Sequence, residues 1–237
     1  MKLEKILKGV DIAEQTADTR MEIGELKYDS RQVQNGDVFV AITGYETDGH
    51  KYIGKAIELG ASVIVLEHVP EGGISVPYIR VDSSRRALAQ MAANYFDHPA
   101  DSMIMVGITG TNGKTTTTYL LKTILEAKGH TVGLIGTNQN MVGDEILPTE
   151  RTTPESFELH KLFAQMRDAG CTHVIMEVSS HSLVLDRVYG IEFAVGAFTN
   201  LTQDHLDFHK TMEAYRDAKA LLFHQSKIGV TNLDEAA

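Results

Sequence analysis

Residues 103–108 form an unbroken apolar run, and a Gly-rich turn follows it: Thr109, Gly110, Thr111, Asn112, Gly113, Lys114, Thr115, Thr116. Such a run suits a parallel strand buried on both faces. The stretch from Thr115 to Lys128 has a helical pattern, so the turn sits between a buried strand and a helix. Gly110 and Gly113 let backbone N–H groups close around phosphate oxygens. Lys114 offsets charge near β- and γ-phosphates, Thr115 offers a hydroxyl to Mg²⁺, and the helix start adds its positive dipole end. The strict pattern G-x-x-x-x-G-K-[ST] needs glycine at 108, where this chain has Ile108. A Gly-rich strand–helix turn with an unrelated lysine is the competing reading.

The rest of the chain supports an α/β fold. After the turn, strands are expected at Val132–Ile135, His173–Val178, Ala194–Thr199 and Ile228–Thr231. Helices are expected at Glu155–Asp168 and Met212–Phe223. Strands alternating with helices predict a mainly parallel, doubly wound sheet. The first hundred residues read as a smaller α/β unit. It has a short helix at Leu3–Lys8, extended stretches at Glu25–Tyr28, Asp37–Ile42, Ser62–Leu66 and Tyr78–Val81, and helices at His50–Leu59 and Arg85–Tyr95. Pro99 disfavours helix at the residue before it, so a boundary is expected there, giving domains 1–99 and 100–237. A sheet ending at Thr231 would ordinarily continue, so a truncated second domain is expected.

The chain has 237 residues, and Lys+Arg 22 against Asp+Glu 32 leaves a net charge of −10. An acidic chain repels phosphate backbones, which argues against nucleic-acid binding. No apolar stretch reaches the roughly 18 residues of a membrane span. With a single cysteine, Cys171, and no apolar signal core at the start, a cytoplasmic location is expected.

Other residues carry two readings each. Glu177 ends an apolar strand, where ligands of open α/β sheets bind; it is a Mg²⁺ ligand, or else a helix-capping or solvated carboxylate. The stretch Asp204, His205, Leu206, Asp207, Phe208, His209 resembles a metal-ligand cluster, yet no H-E-x-x-H or cysteine set accompanies it, so a polar loop is the alternative. On the helix from Met212, residues Tyr215, Lys219, Leu222 and Phe223 share one face. Lys219 inside that stripe is either a snorkelling side chain or a buried lysine of depressed pKa. Thr152 and Thr153 can cap the helix after Pro154. Arg187 can be a plain surface arginine.

The loop Thr109–Thr116 is similar to that of the Mur ligase family. So are Tyr28-Asp29-Ser30-Arg31, Gly36–Ala41 and Gly44–His50 in the first unit. Thr152-Thr153-Pro154, Met176–His181 and Asn200–Asp207 resemble the MurE type in particular. The resemblance implies an N-terminal uridine-nucleotide domain, a central P-loop ATPase domain and a C-terminal amino-acid-binding domain that lies beyond residue 237. It also implies ATP and Mg²⁺ as cofactors. The activity implied is ATP-dependent addition of a diamino acid to UDP-N-acetylmuramoyl-L-alanyl-D-glutamate in peptidoglycan synthesis, by a monomer. A truncated, non-catalytic nucleotide-sugar-binding fragment is the alternative.

Residue by residue, the resemblance implies that Gly110–Thr116 hold ATP. Thr115 and Glu177 take a first Mg²⁺; Glu177, His205 and a carbamylated Lys219 take a second. Ser30, Thr152, Thr153, Ser179 and Arg187 contact the substrate, and Tyr45-Glu46-Thr47 line its uridine end. Leu185-Asp186 departs from family members with Gln-His there and receives no role. The substrate's carboxylate would attack the γ-phosphate, and the incoming amine would then attack the acyl phosphate.

Overall fold

The structure, a computed structural model, describes residues 1–45 and 47–234; Glu46 lies outside them. The chain divides into two compact units, Met1–Asp97 and His98–Ala237.

In the first unit, helix α1 (Leu3–Ile6) precedes strands β1 (Ile12–Gln15), β2 (Leu26–Lys27) and β3 (Val38–Val40). Helix α2 (Ile53–Glu58), strands β4 (Val63–Leu66) and β5 (Tyr78–Val81) and helix α3 (Ser84–Tyr95) follow. The sheet order is β1-β5-β4-β3-β2, parallel except for the β1–β5 pair. The β-branched runs of β3 and β4 are buried throughout, as central parallel strands require. Edge strand β1 was not expected, because three of its four residues are exposed and no alternation marks it. Glu14 secures it, accepting from the Tyr78 hydroxyl at 2.6 Å and from Arg80 Nε at 3.1 Å. Asn94 on α3 donates to the carbonyls of Ile6 and Lys8, which α1 leaves without intrahelical partners. The helix expected over His50–Leu59 opens as a 3₁₀ turn, Gly49–Tyr52, because Asp48 accepts from His50 N and starts the turn early.

In the second unit, β6 (Ile104–Thr109) leads through the Gly-rich loop into α4 (Lys114–Glu126). Then come β7 (Val132–Ile135), β8 (Asn140–Val142), β9 (Glu145–Leu147), α5 (Ser156–Asp168), β10 (His173–Glu177) and α6 (Ser180–Val184). Strand β11 (Phe193–Phe198), α7 (Leu206–His209), α8 (Met212–His224) and β12 (Ser226–Thr231) complete it. The sheet order is β12-β11-β6-β10-β7-β8-β9, parallel from β12 to β7 and antiparallel through β8 and β9. The β8–β9 hairpin was not expected; it turns through Gly143 and Asp144, with Val142 opposite Glu145. A glycine–aspartate pair between short apolar-bearing segments was its available signal.

Alternate residues of β10 face opposite layers. Val174 and Met176 pack with Leu159, Phe163 and Met166 of α5. Ile175 joins Ile108 and Val132 beneath Leu121 and Leu125 of α4. The centre of the sheet is therefore covered on both faces, while edge strand β12 is largely exposed. Burial of β6 is incomplete only near its start, where Ile104 is exposed.

Strand order also decides where the site lies. The chain leaves β6 toward β7 on one side and leaves β11 toward β12 on the other. Such a reversal opens a crevice at the carboxyl ends of adjacent strands. Loop 110–113 and residues 199–202 meet at that end.

Candidate functional site

The loop is held from the β11 side. Thr111 N donates to Asn200 O at 2.9 Å, and Asn112 N to Asn200 Oδ1 at 2.9 Å. Thr199 Oγ1 donates to Asn112 O at 2.7 Å, and Thr202 N to Thr111 Oγ1 at 3.0 Å. Gly110 has φ +140° and lies so close to β11 that a Cβ would stand 1.9 Å from Thr199 Oγ1. The N–H groups of Thr111 and Asn112 are thus committed within the protein. The donors left for an anion are those at Gly113 and the first turn of α4, where Gly113 caps the helix with φ 84° and no side chain closes the N-terminus.

Lys114 folds back over its own loop, donating to Gly110 O and Thr111 O, each at 2.9 Å. Burial pulls its pKa down. Beside it, Thr115 and Thr116 line a cleft of about 490 Å³ with Tyr119, Leu120, Thr123 and Asn138.

Glu177 ends β10 and is 1% exposed. Its Oε1 accepts from Thr115 Oγ1 at 2.9 Å and Thr137 N at 3.0 Å, and its Oε2 from Thr137 Oγ1 at 3.1 Å. A hydroxyl and a carboxylate side by side are the hard oxygen donors that Mg²⁺ takes, so this pair fits such an ion. Thr137 was not singled out from the sequence. Its signal was a Gly-Thr step directly after a buried parallel strand.

Thr153 Oγ1 donates to Glu177 O at 2.8 Å and accepts from Ser179 N at 3.2 Å. Ser179 caps α6 by accepting from Ser182 N at 3.1 Å. The expected capping role of Thr152 and Thr153 on α5 is not found; Glu155 occupies the cap position, and its side chain does not cap the helix. Arg187 is no surface residue. Its side chain is 13% exposed, Nη1 donates to Thr153 O at 3.1 Å, and Nε lies 2.8 Å from Glu155 Oε1. The structure thus gathers Thr152, Thr153, Ser179 and Arg187 around the end of β10. Ser30 belongs to the first unit, where it is buried at the start of a 3₁₀ turn capped by Asp29.

Lys219 is 2% exposed rather than snorkelling. Its Nζ donates to Gly110 O at 2.9 Å and stands 4.3 Å from the centre of the Tyr215 ring. Burial, then the positive charge of Lys114, lowers its pKa to about 7. His205 is exposed, with φ 49°, and its Nε2 lies 3.5 Å from Asp204. Its ring centre is 4.9 Å from that of His181. Among the described residues, no hydrogen bond or ion pair joins Glu177 to His205 or Lys219. His209, assigned no role from the sequence, pairs Nε2 with Ser180 Oγ at 2.8 Å. Burial and the neighbouring His181 bring its pKa to about 4.

In the first unit, Asp48, His50 and His68 bring potential ligand atoms together. Both nitrogens of His50 are occupied, however: Nδ1 bonds Asp48 Oδ1 at 2.7 Å, and Nε2 accepts from Glu67 N at 2.9 Å. A cation at Nδ1 would leave Nε2 protonated against that N–H, so the group is a structural clasp.

Two family models match the chain: the Mur ligase middle domain over residues 108–237 and the Mur ligase family, catalytic domain, over residues 22–96. Similar curated proteins include the UDP-N-acetylmuramoyl-L-alanyl-D-glutamate--2,6-diaminopimelate ligase of Clostridium tetani. It is 51% identical over 99% of this chain and 49% of its own length. A protein of the same name, numbered 1, from Clostridium acetobutylicum is also 51% identical, with the same coverage. A solved structure of a ligase of that name superposes with a TM-score of 0.81 at 28% identity, covering 100% of this chain and 48% of the other. MurF of Thermotoga maritima in complex with ADP gives a TM-score of 0.56 at 26% identity, over 89% of this chain and 46% of its own. The chain spans about half the length of the curated relatives it matches. With the middle-domain model alone covering more than half of the chain, this protein belongs to the Mur ligase family.

Proposed function

We propose that this chain forms the nucleotide-sugar-binding and ATP-binding portions of an ATP-dependent ligase. The reaction would join 2,6-diaminopimelate to UDP-N-acetylmuramoyl-L-alanyl-D-glutamate in peptidoglycan synthesis, in the cytoplasm. The observation that carries this reading is the Gly110–Thr115 loop between a buried strand and α4, with the Thr115 hydroxyl 2.9 Å from Glu177. The loop is read as a P-loop. The free N–H groups from Gly113 onward would take the β- and γ-phosphates, and Lys114 would leave its loop carbonyls for them. Thr115 and Glu177 would hold Mg²⁺, which supplies charge neutralisation when bound. Carbamylation would convert Lys219 from a cation into an oxygen ligand; with Glu177 and His205 it would form a second such set.

Arg187 and Thr153, tied together at the end of β10, would orient the substrate's peptide portion, with Thr152 and Ser179 beside them. In the first unit, Ser30 and the Gly44–His50 segment would face the uridine end. The chemistry asked of these side chains is positioning and charge compensation. A carboxylate must approach a triphosphate, and the resulting acyl phosphate must be held for the amine.

Calorimetry on this chain tests the reading. ATP with Mg²⁺ should bind the wild type, and Lys114→Ala should weaken that binding at least about tenfold, as loss of a charge-assisted phosphate contact implies. Equal affinities would overturn the assignment.

A further inference from the structure

Thr137 stands on the loop after β7, 40 residues from Glu177 in sequence, yet its backbone N–H and its hydroxyl reach both carboxylate oxygens. The preceding residue is shaped to the same carboxylate: a Cβ on Gly136 would lie 2.5 Å from Glu177 Oε1. Thr137 Oγ1 also lies 3.0 Å from Thr152 Oγ1. A threonine hydroxyl has one hydrogen. Because Thr137 gives its own to Glu177, the bond between the two threonines runs from Thr152 to Thr137. The donors therefore form a one-way chain, Thr152 O–H to Thr137 O–H to Glu177 Oε2.

We propose that Thr137 is the positioning residue that fixes the Glu177 carboxylate for its cation and ties it to the substrate-side Thr152. This rests on the reading of Thr115 and Glu177 as a Mg²⁺ pair. When the Thr115 hydroxyl gives a lone pair to a cation it keeps its hydrogen, but the cation then sets the orientation of that hydroxyl. The two bonds from Thr137 remain, and they set the orientation of the carboxylate. Partners of this kind are worth about 10–100-fold in metal affinity when removed. Thr137 is exposed and outside the core, so replacing it leaves the packing intact.

The test is the gain in ATP affinity on adding Mg²⁺, measured by calorimetry on the full chain with Mg²⁺ and with EDTA. Thr137→Val keeps the shape and loses the hydroxyl; the Mg²⁺ gain should fall by about tenfold or more. Thr137→Ser, which keeps the donor, should stay within about twofold of the wild type. Thr152→Val should reduce the gain in the wild-type background and have no further effect on Thr137→Val, as expected for members of one chain. Matching thermal melts would show that all variants are folded. A wild-type Mg²⁺ gain in Thr137→Val, or an equal loss in the serine variant, overturns this inference alone. No Mg²⁺ gain in the wild type overturns the Thr115–Glu177 reading and the inference with it.

Discussion

Lys219 Nζ lies 2.9 Å from the carbonyl oxygen of Gly110, and Lys114 Nζ reaches the same oxygen at the same distance. Two ammonium groups on one carbonyl are mutually unfavourable unless one gives up its charge. Lys219, the more deeply buried, has its pKa lowered to about 7, by burial first and by Lys114 second. Asp204 opposes the shift without cancelling it. The amine is therefore largely neutral slightly above neutral pH, which is the form that attacks CO₂.

The proposed carbamate on Lys219 has a direct signature. With ¹³C-bicarbonate at pH 8, the wild type should show a protein-bound carbamate carbon signal by NMR that Lys219→Met lacks. The signal should weaken as pH falls through about 7 and the amine protonates. Identical spectra for the two proteins would rule the modification out.

Gly110→Ala should destabilise the second unit and disorder the loop. Its backbone, at φ +140°, sits where an L-residue is strained, and the added Cβ would displace the Thr199 hydroxyl from its bond to Asn112. Backbone strain and one lost hydrogen bond together amount to roughly 2–4 kcal/mol. Urea unfolding followed by a probe in the second unit should show an earlier midpoint. A wild-type midpoint would contradict the close approach to β11.

Acid should weaken the second unit through His160. This ring is 4% exposed, its Nδ1 has no hydrogen-bond partner among the described residues, and burial, with His98 adding to it, brings its pKa from 6.5 to about 4. The folded state favours the neutral ring. Above about pH 6.5 both states are neutral and the group contributes no pH dependence. As pH falls from 6.5 toward 4, the unfolded chain takes up the proton first and stability drops by roughly 3 kcal/mol. His209 titrates over the same window with a smaller, partly solvent-screened share. Comparing His160→Leu with the wild type isolates the difference: the variant should lose stability less steeply between pH 6.5 and 4. Parallel slopes would sink this account.

Much of the fold was legible because its signals are local. The β-branched runs at Val63–Leu66 and Val132–Ile135 and the helical stripe of α8 state their burial within a few residues. Elements whose order comes from partners elsewhere were not legible. Strand β1 exists because Glu14 finds Tyr78 and Arg80, and the β8–β9 hairpin because β7 offers an open edge.

The candidate site divides along the same line. Neighbouring residues are enough to specify that a strand, a Gly-rich turn with Lys114 and Thr115, and a helix stand in that order, because periodicity and turn chemistry act over short distances along the chain. The same local pattern puts Lys219 in the apolar stripe of its helix. Tertiary structure alone decided that Lys219 shares the Gly110 carbonyl with Lys114, that Asn200 takes up the N–H groups of Thr111 and Asn112, and that Thr137 grips Glu177. Those contacts follow from the order β11-β6-β10-β7, which brings together the carboxyl ends of strands far apart in the chain. Strand order is chosen by the packing of whole layers, and no local pattern of residues encodes it.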